Sequence, residues 1–206
     1  MTWTKLSIAM LCCWSMSAWA ADPWCNARDS PAYQFEWLPK NRTEESIGSV
    51  LIKDASGKIV QVLDNVENYH HVSESLNTGS DFNNDGCADL VVTSSIAPTG
   101  NESRMAFLYN PTTRRFELSK TLSDLVGLEL DTRDKNCVTS FAKGGAMDFY
   151  AAQHCWSKDK LGMKSEETVW PTYNDEGELE CYYHTKISYR GGKKRVRTKC
   201  TKQWPP

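Results

Sequence analysis

The sequence of 206 residues has no long apolar run beyond residue 20, almost no helical periodicity and no marked excess of either charge. Each absence excludes a class of protein. A bilayer-spanning helix needs about 20 consecutive apolar residues, and helical bundles and coiled coils need a sustained 3.6- or 3.5-residue apolar period. With 24 Lys and Arg against 26 Asp and Glu, no global field points to nucleic acid or to an acidic polymer. C-x-x-C and C-x-x-C-H are missing after residue 20, and G-x-S-x-G, G-x-G-x-x-G, a phosphate-binding glycine loop and H-E-x-x-H are missing throughout. Redox catalysts, zinc ribbons, c-type haem proteins and the common motif-bearing enzymes thus lack their signatures.

What is there begins with a leader. Residues 1–20 carry one cation at Lys5, an apolar run from residue 6 to 14 and an Ala18-Trp19-Ala20 ending, which predicts a secretory signal peptide cleaved after Ala20. The remaining residues, 21–206, suit a single domain in the periplasm or outside the cell. Cys12 as a lipidation site is disfavoured by Leu11 before it, where a small residue is wanted. Six of the eight cysteines lie beyond the leader: Cys25, Cys87, Cys137, Cys155, Cys181 and Cys200. An even count in an exported chain predicts disulfides, three if all pair, with 15 connectivities open.

Short β-branched and aromatic runs separated by turn signals predict an all-β, antiparallel meander stapled by those bridges. Residues 49–52 and 59–63 flank Asp54-Ala55-Ser56-Gly57-Lys58; residues 105–109 and 115–118 flank Asn110-Pro111-Thr112-Thr113. Residues 90–93 read as a buried strand. Hairpins follow around Gly144-Gly145, with 137–142 and 146–155 as arms, and around Lys158-Asp159-Lys160, leading into 163–169. A last one forms around Gly191-Gly192, with 180–189 and 194–200 as arms. One helix is expected, over 120–126, opened by Ser119.

Chemistry concentrates in residues 81–89, DFNNDGCAD. Oxygen-bearing side chains stand at loop positions 1, 3, 5 and 9 (Asp81, Asn83, Asp85, Asp89), with Gly86 at position 6 and the Cys87 carbonyl at position 7. Ca2+ takes six to eight hard oxygen ligands, and this spacing turns alternate side chains inward around a glycine that permits the sharp bend. An EF-hand would need Glu at position 12, where Val92 stands, and a strand follows instead of a helix. The competing reading is an Asx-type turn without metal.

Catalytic alternatives are thin, and no enzyme is expected. His70 and His71 are adjacent and would face opposite ways on a strand; His154 and His184 stand singly. Glu166-Glu167 and Glu176, Glu178, Glu180 offer paired carboxylates of glycosidase type, but alternating acids also describe a solvated strand. Trp24, Trp37, Trp156, Trp170 and Trp204 suit core packing, with sugar stacking as the functional alternative.

SDFNNDGCADLVV resembles the calcium loop of FG-GAP and integrin-type β-propeller repeats. The continuation, SSIAPTGNESRMAFLYNPTTRRFELSKTLSDL with CVTSFAKGGAMDFYAAQHCW, is similar to bacterial periplasmic immunity proteins that inhibit peptidoglycan-cutting, lysozyme-like effectors of type IV secretion systems. The resemblance runs from Ser80 to about Met163. It implies a β-propeller-like, calcium-containing fold and a protein partner, a lytic cell-wall-degrading effector. A calcium-braced adhesion or glycan-binding module is what the calcium loop alone would imply, and a hydrolase using the Glu cluster is a third class.

Two segments are candidates for partner contact. The resemblance points to residues 94–101, with Ser94, Ser95, Thr99, Gly100 and Asn101. Charge points to the last hairpin, where Arg190, Lys193, Lys194 and Arg195 open a C-terminal stretch of seven cations without an acid. Such a tip can satisfy the carboxylates of a glycan-cleaving cleft by charge-assisted bonds. It can equally guard a strand edge or attract an anionic membrane or cell-wall polymer.

Overall fold

The computed structural model describes residues 23–26 and 32–204. The expected signal peptide, with Cys12 and Cys13, lies outside them. A short helix, α1 (Pro23–Asn26), precedes thirteen strands and two further helical turns. Strands β1 (Tyr33–Pro39), β2 (Ile47–Asp54) and β3 (Ile59–Glu67) form a first antiparallel sheet. A 3-10 turn, Ser73–Ser75, leads to a second sheet of β4 (Asn77–Ser80), β5 (Asp89–Ile96), β6 (Glu102–Asn110) and β7 (Arg115–Leu118). After helix α2 (Lys120–Ser123) comes a third sheet: β8 (Glu129–Leu130), β9 (Cys137–Ala142), β10 (Phe149–Ser157), β11 (Lys160–Tyr173), β12 (Leu179–Arg190) and β13 (Lys193–Thr201). Every strand pairs with its neighbour in sequence and none crosses over. The all-β antiparallel meander expected from the turn signals is what forms. The propeller-like closure implied by the resemblance is not part of it: among the described residues the three sheets close into neither a barrel nor a ring.

The turns form for the anticipated reasons. Asp54 Oδ1 accepts the Ser56 amide at 2.9 Å and the Lys58 amide at 3.1 Å, with Gly57 at φ 83°. Asn110 Oδ1 accepts the Thr112 amide at 3.0 Å. Ser119 caps α2 through the Leu122 amide, as expected, but the helix stops at Ser123, three residues short of the expected end.

The second sheet is the middle layer. Leu90, Val92, Phe107 and Tyr109 pack with Val50, Ile52 and Val66 of the first sheet and with Trp24 and Trp37. On its other side Val91 and Ala106 pack with Leu122 of α2, Leu128 and Val138, with Trp156 and Leu161 against them. Burial on both faces is why residues 90–92 are a continuous apolar run, Leu-Val-Val, where a half-buried strand would alternate. Trp24 and Cys25 anchor the N-terminal helix in the first core: the indole donates to the Ala88 carbonyl at 2.6 Å, and its ring centroid lies 5.3 Å from that of Tyr33 and 5.9 Å from that of Phe116.

All six cysteines pair: Cys25 with Cys87, Cys137 with Cys155, and Cys181 with Cys200. The bridges divide into two kinds. Cys137 and Cys155 face each other across β9 and β10, and Cys181 and Cys200 join β12 to β13. Only Cys25–Cys87, 62 residues apart, ties distant parts of the chain.

Candidate functional site

Residues 81–89 join β4 to β5 and fold around their own acids. Asp81 accepts the Asp85 amide at 3.2 Å and the Gly86 amide at 2.9 Å, and Asp85 accepts the Cys87 amide at 2.8 Å. Asn83 donates its side-chain amide to Asp85 at 2.8 Å. Gly86 takes φ 89° and Asn84 φ 56°, so the sharp bend falls where the spacing requires a glycine. Cys87 is buried and bridged, which leaves its carbonyl rather than its sulfur as a donor to any ion.

Asp89 differs from its neighbours. It is fully buried at the start of β5, and its two oxygens accept the Phe82 amide at 2.7 Å and the Tyr109 amide at 3.0 Å. Phe82 belongs to one apolar core and Tyr109 to the other, so this carboxylate knots the loop to β6 between them. Burial pushes its pKa up to about 7, opposed by the two amide bonds and reinforced by the charges of Asp85 and Asp81.

Three carboxylates, one side-chain amide and a backbone carbonyl are the donor chemistry a hard cation takes. The three carboxylates do not all lie within 4.8 Å of one another. Among the described residues the only trio of metal-competent side chains with ligand atoms within 4.8 Å of one another is Asp134, Cys137 and Cys155. Two of those are sulfurs already bonded to each other.

Residues 94–101 lie at the far end of β5 and in the turn to β6. Ser94 and Ser95 are within the strand, and residues 97–100 are exposed, with Gly100 at φ 81°. Asn101 is half-buried and hydrogen-bonded at both ends of its side-chain amide. Its amide donates to the Lys143 carbonyl at 2.8 Å and accepts the Lys143 amide at 2.9 Å, clamping the β5–β6 turn to the β9–β10 turn. No local sequence pattern announces that contact, because its partner is 42 residues away.

The basic hairpin does not project as a finger. β12 pairs with β11 as far as Ser188, so only Tyr189 and Arg190 run past the support of the sheet. Nor do its four expected contact residues share one side: Lys194 alternates away from Lys193 and Arg195 along β13.

The adjacent carboxylates of β11 are separated in the same way. Glu166 accepts from the Tyr189 hydroxyl at 3.2 Å and Glu167 from Lys186 at 3.0 Å, on opposite faces of β11. His154 and His184 are both buried, and burial lowers the pKa of each. Trp24 and Trp37 are core residues, Trp156 donates to the Phe82 carbonyl at 2.8 Å, and Trp170 and Trp204 are exposed. Beside the acidic loop opens a cleft of about 600 Å³, lined in part by Asn83, Asp85, Asn110, Glu117, Trp156 and Asp159.

No family model and no curated protein matches this sequence. Among solved structures, a Xanthomonas type IV secretion system related protein is similar, with a TM-score of 0.51 and 18% identity over 83% of this chain and 84% of that one. At that identity the likeness concerns the fold. Among the described residues no helix is long and apolar enough to cross a membrane.

Proposed function

We propose that this chain is an exported immunity protein that binds and inhibits a peptidoglycan-degrading, lysozyme-like effector of a type IV secretion system. In this reading it has no catalytic activity, works in the periplasm, and is a three-sheet relative of the propeller-like family it resembles. The fold it shares with a type IV secretion system related protein supports the reading. So does the bridging of all six described cysteines, as expected of an oxidising compartment.

The observation that carries it is the clamp on the β5–β6 turn. Because Asn101 holds Lys143 from both ends of its amide, residues 97–100 are exposed yet fixed. An inhibitor loop ordered in advance loses little conformational freedom when it docks. Replacing Thr99 by Arg puts a long charged side chain on that surface. Inhibition of the cognate lytic enzyme is expected to weaken by at least about tenfold, with the thermal midpoint unchanged. Wild-type inhibition by that variant would remove the turn from the interface.

Residues 81–89 would hold Ca2+ through Asp81, Asn83, Asp85, Asp89 and the Cys87 carbonyl. The ion would supply charge neutralisation to a loop whose acids otherwise repel. Added Ca2+ is expected to raise the thermal midpoint and a chelator to lower it, with Asp81→Ala abolishing the response. A midpoint indifferent to both additions sinks the calcium site and leaves the Asx-turn network as the whole account.

A second reading, a calcium-braced adhesion or glycan-binding module, is favoured by the cleft beside the loop, where Trp156 lies among Asn83, Asn110 and Asp159. Calorimetry with soluble peptidoglycan fragments separates the two. Saturable binding in the absence of any effector favours the module, and silence favours the inhibitor.

A further inference from the structure

The third sheet ends in a ribbon, β12 and β13, whose two faces differ in chemistry. Alternation along β13 sends Lys193, Arg195, Arg197 and Lys199 to one side and Lys194, Val196, Thr198 and Cys200 to the other. The register carries the first set onto β12, since Arg190 stands opposite Lys193, Ser188 opposite Arg195 and Lys186 opposite Arg197. A shallow groove of about 270 Å³ lined by Lys186, Ser188, Arg190, Arg195 and Arg197 shows independently that these side chains share a face.

Lys186 is paired with Glu167. The four cations of β13 on this face make no ion pair among the described residues, and every residue from 190 to 200 is exposed. At one end of the same face lies the indole of Trp204, 41% exposed, its ring centroid 5.0 Å from that of Tyr182 and 6.1 Å from that of Phe149.

A plain edge-strand guard needs charge anywhere along the edge. Here the charge is sorted by face, spaced about 6.7 Å apart along the strand, and bordered by an exposed tryptophan. A protein partner would be expected to meet apolar anchors at the centre of the face, as interfaces do, whereas between the cations of β12 and β13 no apolar side chain projects and the exposed indole of Trp204 stands only at the border. A bilayer makes no such demand. Its phosphates form a broad negative plane that attracts surface cations, and tryptophan settles at the headgroup level.

We propose that the face of β12 and β13 bearing Lys186, Arg190, Lys193, Arg195, Arg197 and Lys199 docks the protein flat on anionic phospholipid headgroups. The contact is peripheral and electrostatic.

Sedimentation of the purified full chain with vesicles tests this, using phosphatidylcholine mixed with phosphatidylglycerol against phosphatidylcholine alone. Binding to the mixed vesicles alone is expected, falling at least about tenfold between low and high salt. Arg195→Ala with Arg197→Ala should weaken it by about tenfold or more. Lys194→Glu makes the same change in net charge on the opposite face and should leave most of the binding intact. Arg195→Gln with Arg197→Gln repeats the test with more of the side chain retained, should the alanine pair fold poorly. Absence of binding to mixed vesicles at low salt overturns the proposal, as does equal loss in Lys194→Glu, which would make net charge rather than this face responsible. If soluble polyglutamate binds as tightly as the vesicles, the face is a general polyanion site and the lipid assignment fails.

Discussion

Replacing Cys25 and Cys87 together by serine is expected to lower stability by about 4 kcal/mol, the loop-closure contribution of a 62-residue bridge. For a chain of this length that corresponds to roughly 8–16 °C in the thermal midpoint. The bridge joins the N-terminal helix, with its buried Trp24, to the acidic loop. Cutting it frees Trp24 from its ring contacts with Tyr33, Phe35, Tyr109 and Phe116 as well as releasing the chain. The 18- and 19-residue bridges close strands that the sheet already pairs, so each should contribute less, about 3 kcal/mol on the same chain-entropy reasoning. Guanidinium unfolding of the three double-serine variants gives the ranking. An unmoved midpoint for the Cys25/Cys87 variant, or a larger loss for Cys181/Cys200, contradicts it.

Asp89→Ala is expected to be as damaging. It strands the buried amides of Phe82 and Tyr109, each costing about 1–3 kcal/mol when left without an acceptor. The native carboxyl also makes stability depend on pH in the sense opposite to a salt-bridged aspartate. Its folded pKa of about 7 lies above the unfolded value near 4. Between the two, the folded state binds a proton that the unfolded chain has released. The contribution is therefore complete below about pH 4 and is lost as pH rises through 7, by up to about 4 kcal/mol. The buried histidines His154 and His184, whose pKa is lowered, raise stability with pH over the same range, so the comparison is between proteins. In chelator, the denaturation midpoint of the parent should fall from pH 5 to pH 8 relative to that of Asp89→Asn, which cannot ionise, and equal changes in the two proteins would show the carboxyl to be ionised in the fold throughout. Calcium bound beside Asp89 would favour the ionised form, so its stabilising effect should be greater at pH 8 than at pH 5.

The hairpins were legible because their turns carry their own instructions. Asp54, Asn110 and the Gly191-Gly192 pair each close a turn with chemistry written within a few residues. β8 has only two residues and exists through its pairing with β9, so no pattern could mark it. β1, not among the expected strands, carries a local pattern all the same: Tyr33, Phe35 and Trp37 alternate with Gln34 and Glu36, and all three rings turn inward to the first core. In the acidic loop, spacing found the oxygens and the glycine bend. It did not show that Asp89 is a buried hub while Asp81 and Asp85 serve the loop's own amides. That distinction depends on β6 lying alongside, as the Asn101 clamp depends on the β9–β10 turn. The opposed faces of the basic hairpin lay within reach, since parity along a strand sorts its cations once the strand is recognised.

The succession of neighbouring strand pairs within each sheet bears on how the molecule opens. Sheets whose partners are adjacent in sequence keep contact order low for a β protein, and each can lose strands without disturbing the next. Amide exchange should therefore be graded by layer. β5 and β6, enclosed on both sides, should exchange only with global unfolding. β13, an edge strand exposed along almost its whole length, should exchange through local fraying that leaves both cores intact. The covalent tie at Cys181–Cys200 then limits how far the edge can peel, confining the excursion to the Arg190 end of the ribbon.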